Sequence, residues 1–196
     1  MTDPLEARLV EIVRATPGLM HVLRVTRDQN LPDWRIVSGA VYQAVWNAVT
    51  GREPDYGIKD YDLAYFDVSD ISYEAEDVVI KQVAAAFAPP FDELVEVRNQ
   101  ARVHLWFRDR FGEDYDPLGS TDEALSRFVA PAFAVGVRLE ADDRVTVAAP
   151  FGLEDVFSLT LRPNPLRGLA RGWARTVENA RGRWPEVTVM EPEGVT

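Results

Sequence analysis

The chain has 196 residues, no cysteine and a net charge of −11, and 46% of its residues are hydrophobic. That length suits one large domain, with enough apolar content to bury a sizeable core without disulfides or a structural metal. The missing cysteines exclude thiol nucleophiles, cysteine-based zinc sites and disulfide frameworks, and fit a reducing, cytoplasmic setting. The acidic balance argues against a broad affinity for nucleic acid or anionic membrane, although a metal can still bring a nucleotide to a local site. There is no basic region followed by an apolar leader, and no run nears the ~18 apolar residues of a membrane-spanning helix, so a soluble protein is expected.

Leu5, Leu9, Val10 and Val13 make a helical stripe over residues 5–15, interrupted by Pro17-Gly18. A second helix is expected over 19–29 from Leu19, Val22, Leu23 and Val25, and Asn30-Leu31-Pro32-Asp33 breaks it. Residues 35–37 read as a short strand running into Ser38-Gly39. Val41, Val45, Ala48 and Val49 then return to helical spacing, up to Gly51 in the position where helices end. Pro54 and Gly57 make 53–59 a loop, and Tyr61, Leu63 and Tyr65 alternate through a strand over 60–67.

A long helix over 73–88 stops at Pro89-Pro90, and a short strand follows at 94–97. Residues 103–111 are expected to be helical, with a strand as the alternative their aromatic content leaves open. Ser120-Thr121-Asp122-Glu123 has the spacing of a capping box, so a helix should begin there. Residues 134–140 and 144–148, separated by Ala141-Asp142-Asp143, read as a hairpin. Residues 151–161 are ambiguous, 166–183 read as a final helix and 185–193 as an extended tail. Strands set between helices make the fold α/β or α+β: a mixed sheet with flanking helices and a helical C-terminal portion. Residues 1–196 are expected to form one domain, with core motifs in 36–97 and the C-terminal portion in 98–196.

The chemistry concentrates between residues 36 and 97. On a strand, residues two apart point to the same side, so Asp60 and Asp62 project together, about 7 Å apart at Cα. Two carboxylates that close repel unless a cation lies between them, and hard oxygen ligands suit Mg²⁺ or Mn²⁺. An Asp-x-Asp by itself is equally the polar face of an edge strand. Its neighbours add weight: a turn without bulky side chains at Ser38 and Gly39 precedes a helix, and there backbone N–H groups can approach phosphate closely. The next strand offers Glu96 between Val95 and Val97, and three acids from adjacent strands are what a two-metal phosphoryl-transfer site needs.

This order of motifs resembles the nucleotidyltransferase superfamily of DNA polymerase beta, the poly(A) polymerases and the CCA-adding enzymes. Ser38-Gly39-Ala40-Val41 and Thr50-Gly51-Arg52 look like the CCA-adding version, and Asp60-Tyr61-Asp62-Leu63 matches its acidic strand. More specifically, the chain is similar to a group of bacterial nucleotidyltransferase family proteins. That similarity extends over Gly57-Ile58-Lys59-Asp60, Asn99-Gln100-Ala101-Arg102-Val103-His104-Leu105-Trp106, Ala149-Pro150-Phe151-Gly152-Leu153-Glu154-Asp155 and Arg162-Pro163-Asn164-Pro165.

The resemblance implies a metal-dependent enzyme that moves a nucleoside monophosphate from a nucleoside triphosphate to an acceptor, which it does not identify. Asp60, Asp62 and Glu96 would be the catalytic, Mg²⁺- or Mn²⁺-binding acids, and Ser38 and Gly39 would hold the nucleotide. Two departures stand out: Ser38 takes the first position of the glycine pair, and Tyr42 replaces the arginine that helps hold triphosphate in CCA-adding enzymes. The loop between turn and acids is also longer, twenty residues from Ala40 to Lys59. A non-catalytic binding or regulatory relative, or a metal-dependent hydrolase on the same acids, remains as an alternative.

Arg102 could hold a phosphate or make a structural ion pair, and His104 reads as a packed histidine. Arg167, Arg171 and Arg175, spaced by four, would make one basic stripe on the last helix, facing an anionic substrate or, in the favoured reading, pairing with the acidic body. The five tryptophans read as packing residues. Oligomeric state is not legible.

Overall fold

A computed structural model describes residues 3–167 and 169–190. Helix α1 (Pro4–Ala15) starts on an Asp3 side chain that accepts from the Leu5 N–H. Helix α2 (Pro17–Arg27) takes in Pro17-Gly18, rather than starting after that pair. Proline fits the first helical position because no N–H is needed there, so the break falls instead on extended Thr16.

Strand β1 (Arg35–Val37) leads into α3 (Gly39–Thr50), closed by left-handed Gly51, and β2 (Tyr61–Tyr65) follows the loop. Helix α4 (Tyr73–Ala86) is capped by Ser72, and the short α5 (Phe91–Leu94) leads into β3 (Val95–Asn99). A 3-10 turn at Gln100–Leu105 and α6 (Phe107–Phe111) bear out the helical reading of that stretch. Ser120 caps α7 (Thr121–Leu125) by accepting from the Glu123 N–H, as the capping-box spacing requires. The expected hairpin is β4 (Gly136–Leu139) with β5 (Val145–Ala148). The ambiguous stretch resolves into α8 (Glu154–Phe157) and β6 (Thr160–Leu161), followed by α9 (Trp173–Arg183) and β7 (Thr188–Val189).

The main sheet runs β3-β2-β1-β4-β5, with β2 and β3 parallel and the other pairs antiparallel. Strands β6 and β7 form a separate parallel pair. The period-2 alternation of β2 puts Tyr61, Leu63 and Tyr65 into the main core, where α3 packs on β1 and β2. Asp62 and Ala64 face the other way, and there Val37, Ala64, Leu125 and Ala134 make a small second cluster. Four of the five tryptophans, Trp34, Trp46, Trp173 and Trp184, are buried. Among the described residues, no helix is long and apolar enough to cross a membrane.

Three expectations need correction. The acidic strand is shorter than 60–67, so Asp60 sits immediately before β2 rather than on it. The last helix begins at Trp173, not 166, because Gly172 adopts φ +84° and breaks the helical path. Arg167 and Arg171 therefore precede the helix and share no helical stripe with Arg175. Within the expected tail, Thr188–Val189 pairs with β6, and residues 191–193 lie outside the described residues.

Candidate active site

Val37, the last residue of β1, lies opposite Asp62 on one side and Gly136 on the other. The chain then turns sharply at Ser38, whose φ of +53° is a conformation that costs a non-glycine residue on the order of 1–3 kcal/mol. Its N–H is anchored to Val135 O at 2.8 Å. Helix α3 starts at once, without a side-chain cap, and the Val41 and Tyr42 N–H groups fold back to Ser38 O. The first N–H groups of a helix have no intrahelical acceptor and carry partial positive charge.

That helix start faces the acids. A Cβ placed on Gly39 would lie 3.7 Å from Asp60 Oδ1 and 3.9 Å from Asp62 Oδ2. The register of the parallel pair sets Asp62 against Glu96, on the same face of the sheet. The Asp62 carboxyl is pushed from 3.8 up to about 6, first by burial and then by the charges of Asp60 and Glu96, with Arg98 acting in the opposite direction. Glu96 is half-exposed and lies 3.7 Å from Arg98. Among the described residues no three His, Cys, Asp or Glu side chains converge into a ready metal cage. The arrangement is a carboxylate pair with a third acid one strand away.

Beside Asp60 opens a cleft of about 440 Å³ whose lining includes Gln43, Gly57, Lys59 and Arg183. Arg183 comes from the end of α9 and donates to Gly57 O at 2.9 Å and Gln43 Oε1 at 3.3 Å. Its guanidinium lies 4.7 Å above the Trp184 ring. Tyr42 is buried, stacked on Phe133 at 4.4 Å and edge-on to Trp46 at 4.7 Å. Burial also raises its pKa, which keeps the phenol protonated. Arg183 thus brings a cation from the other end of the chain to the cleft beside Asp60. Nothing local signals this: Arg183 reads simply as one basic residue among several on the last helix.

Other candidates fall away from the site. Arg102 makes a close ion pair with Glu76, whose other oxygen accepts from the Asn99 N–H at 2.8 Å, so Arg102 is a structural residue. Burial of His104 Nδ1 leaves it without a hydrogen-bond partner among the described residues. Arg167 pairs with Glu113, as the body-pairing reading of the basic residues expects.

A mixed sheet carrying Asp-x-Asp beside a helix start that follows a small-residue turn is the head architecture of nucleotidyltransferases. A family model described as "Nucleotidyltransferase" matches residues 24–189, and the chain belongs to that family. Among solved structures, it is similar to one whose title reads "The NMR structure of the protein reveals a CCA-adding enzyme head domain". The TM-score is 0.77 at 25% identity, covering 95% of this chain and 96% of that one. No curated protein matches the chain in sequence.

Proposed function

We propose that this nucleotidyltransferase moves a nucleoside monophosphate from a nucleoside triphosphate to a small acceptor, with Asp60, Asp62 and Glu96 as its acids. The observation that carries the reading is the start of α3 at Gly39, where a Cβ would come within contact distance of both aspartate carboxylates. Burial of Asp62, and after it the charges of Asp60 and Glu96, raise its pKa, and a hard divalent cation relieves both effects. The donor set therefore fits Mg²⁺ or Mn²⁺ on Asp60 and Asp62, with Glu96 in support. When bound, such an ion supplies charge neutralisation at the phosphates and a lowered pKa for the acceptor hydroxyl.

The chain's own groups divide the remaining work. The Ser38–Gly39 turn lets the α3 N-terminus approach phosphate oxygens, while Lys59 and Arg183 bring positive charge to the cleft beside Asp60. The acceptor oxygen attacks the α-phosphorus, the bond to the bridging oxygen breaks, and pyrophosphate leaves. In this reading Glu96, half-exposed and in register with Asp62, takes the acceptor's proton. Tyr42 is the feature that favours a non-catalytic binding protein; Arg183 in the cleft weakens that argument.

The test is incubation with Mg²⁺ or Mn²⁺, each labelled nucleoside triphosphate and varied acceptors, with label transfer and pyrophosphate as readouts. Wild type should transfer, Asp60→Asn should not, and Glu96→Gln should be strongly reduced. Arg183→Ala should raise the KM for the triphosphate roughly tenfold or more, with a smaller change in kcat. No transfer from any triphosphate with either metal would establish the non-catalytic alternative.

Gly39→Ala separates the fold from the chemistry. The added methyl meets only ordinary contacts, the nearest being Gln43 Nε2 at 3.5 Å, so stability should change by less than about 1 kcal/mol. The same methyl occupies the space in front of both carboxylates, and transfer should fall at least roughly tenfold. Thermal melts and initial rates measure the two effects; an unchanged rate would show that phosphate does not pass Gly39.

A further inference from the structure

After β3 the chain builds an aromatic cluster that takes no part in folding the core. Phe107 lies 4.4 Å from Tyr115 and 4.7 Å from Phe111, and Trp106 lies 6.3 Å from Phe111, by ring centroids. None of the four belongs to either hydrophobic cluster, and Phe111 is 45% exposed. These rings line a cavity of about 340 Å³ together with Ala124, Phe128 and Val129. A group of large apolar rings held outside the core is the kind of surface that marks a binding site.

The lining of this cavity is rich in guanidinium groups. In a chain of net −11, Arg98, Arg127, Arg167 and Arg171 line it with one acid, Glu113. Arg98 and Arg127 also lie 3.7 Å from Glu96 and Glu123, which are outside the lining, and no acid pairs with the Arg171 guanidinium among the described residues. Glu113 is already engaged by Arg167 and by the Arg171 N–H at 3.4 Å. Arg98 ties the pocket to the acids. It follows Glu96 by two residues on β3, and its Nη2 lies 3.7 Å from Glu96 Oε2. Asp60 lines the cleft that holds Lys59 and Arg183, Arg98 lines the aromatic pocket, and Asp62 and Glu96 stand opposite each other in register. The two cavities share no lining residue among those described.

We propose that this pocket seats a small planar aromatic molecule bearing a hydroxyl and a phosphate or carboxylate, and that its hydroxyl oxygen is the acceptor of the transfer reaction, attacking the α-phosphorus as pyrophosphate leaves. The assignment as acceptor rests on the transferase reading; the binding does not. Ring faces stack a planar ligand, and guanidinium groups pair with its anionic oxygens. The cavity, at the small end of ligand-pocket volumes, admits one compact ring system. The net negative charge works against a long polyanion, which separates this ligand from a single-stranded nucleic acid.

The experiment needs neither triphosphate nor metal. The fluorescent aromatic anion 8-anilinonaphthalene-1-sulfonate is bound to the full chain and displaced with phenyl phosphate, phenol, inorganic phosphate or a short oligothymidylate. Phenyl phosphate should displace it at a concentration at least roughly tenfold below that of phenol or inorganic phosphate. Phe107→Ala and Arg127→Gln should each raise that concentration at least several-fold. Exposed Arg171→Gln, which can be made without disturbing the core, should do so with an unchanged melting temperature. Equal displacement by phenol or phosphate, or wild-type affinity in both arginine variants, would overturn the proposal. Tighter displacement by oligothymidylate would replace the small molecule with nucleic acid. Failure here leaves the transferase reading standing, whereas binding by a protein that transfers nothing keeps the pocket and removes the acceptor role.

Discussion

Asp62→Asn is expected to abolish transfer and, in the metal-free protein at pH 7, to raise folding stability by about 2 kcal/mol. Burial and the neighbouring charges of Asp60 and Glu96 lift this carboxyl from 3.8 to about 6. A carboxyl with a folded pKa above its unfolded value binds its proton more tightly in the folded state. Stability therefore falls as pH rises from about 4 to about 6, and stays lowered above that. A rise of that size corresponds to about 3 kcal/mol, which solvent around the partly exposed Asp62 screens to the smaller figure. Asparagine is neutral throughout, so the gain should be present at pH 7 and vanish near pH 4. Urea denaturation of both proteins at the two pH values measures it. Mn²⁺ should then raise the melting temperature of wild type more than that of the variant. A variant no more stable than wild type at pH 7 would show that neither burial nor the neighbouring acids disfavour the Asp62 carboxylate.

Asn47→Ala should cost about 2–4 kcal/mol of stability and loosen both walls of the Asp60 cleft. Asn47 is fully buried on α3, and its Nδ2 donates to Pro54 O at 3.0 Å and Tyr56 O at 2.8 Å. Its Oδ1 accepts from the Trp184 indole N–H at 3.0 Å. One amide thus fixes the loop that delivers Asp60 and the residue that follows Arg183. Truncation leaves the buried Trp184 indole N–H without a partner, at about 1–3 kcal/mol, and removes two bonds to carbonyls of the exposed residues Pro54 and Tyr56, at about 0.5–1.5 kcal/mol each. Chemical denaturation should show the loss, and kinetics on the folded protein at low temperature should show a higher KM for triphosphate. A change below about 1 kcal/mol would mean that water replaces the lost bonds at no cost.

Several local devices of this fold were legible in the sequence, although the helix start after Gly172 was not. The alternation of Tyr61, Leu63 and Tyr65 decided which face of β2 enters the core, and so which face carries Asp62. Gly51 ended α3, and the Ser120 capping box started α7, because each acts within a few residues of backbone. The juxtaposition of turn, helix and acidic strand was legible for the same reason, and it carried the family with it. What only the tertiary structure decided was where the long cations go. Arg102 went to Glu76, Arg167 to Glu113, and Arg183 across to Gln43 and Gly57 in the cleft beside Asp60. The same holds for Trp106, the tryptophan that left the core for the aromatic pocket. Periodicity and caps are properties of neighbouring residues along the backbone. The partner of a flexible guanidinium is set by whichever distant segment packing brings within its reach.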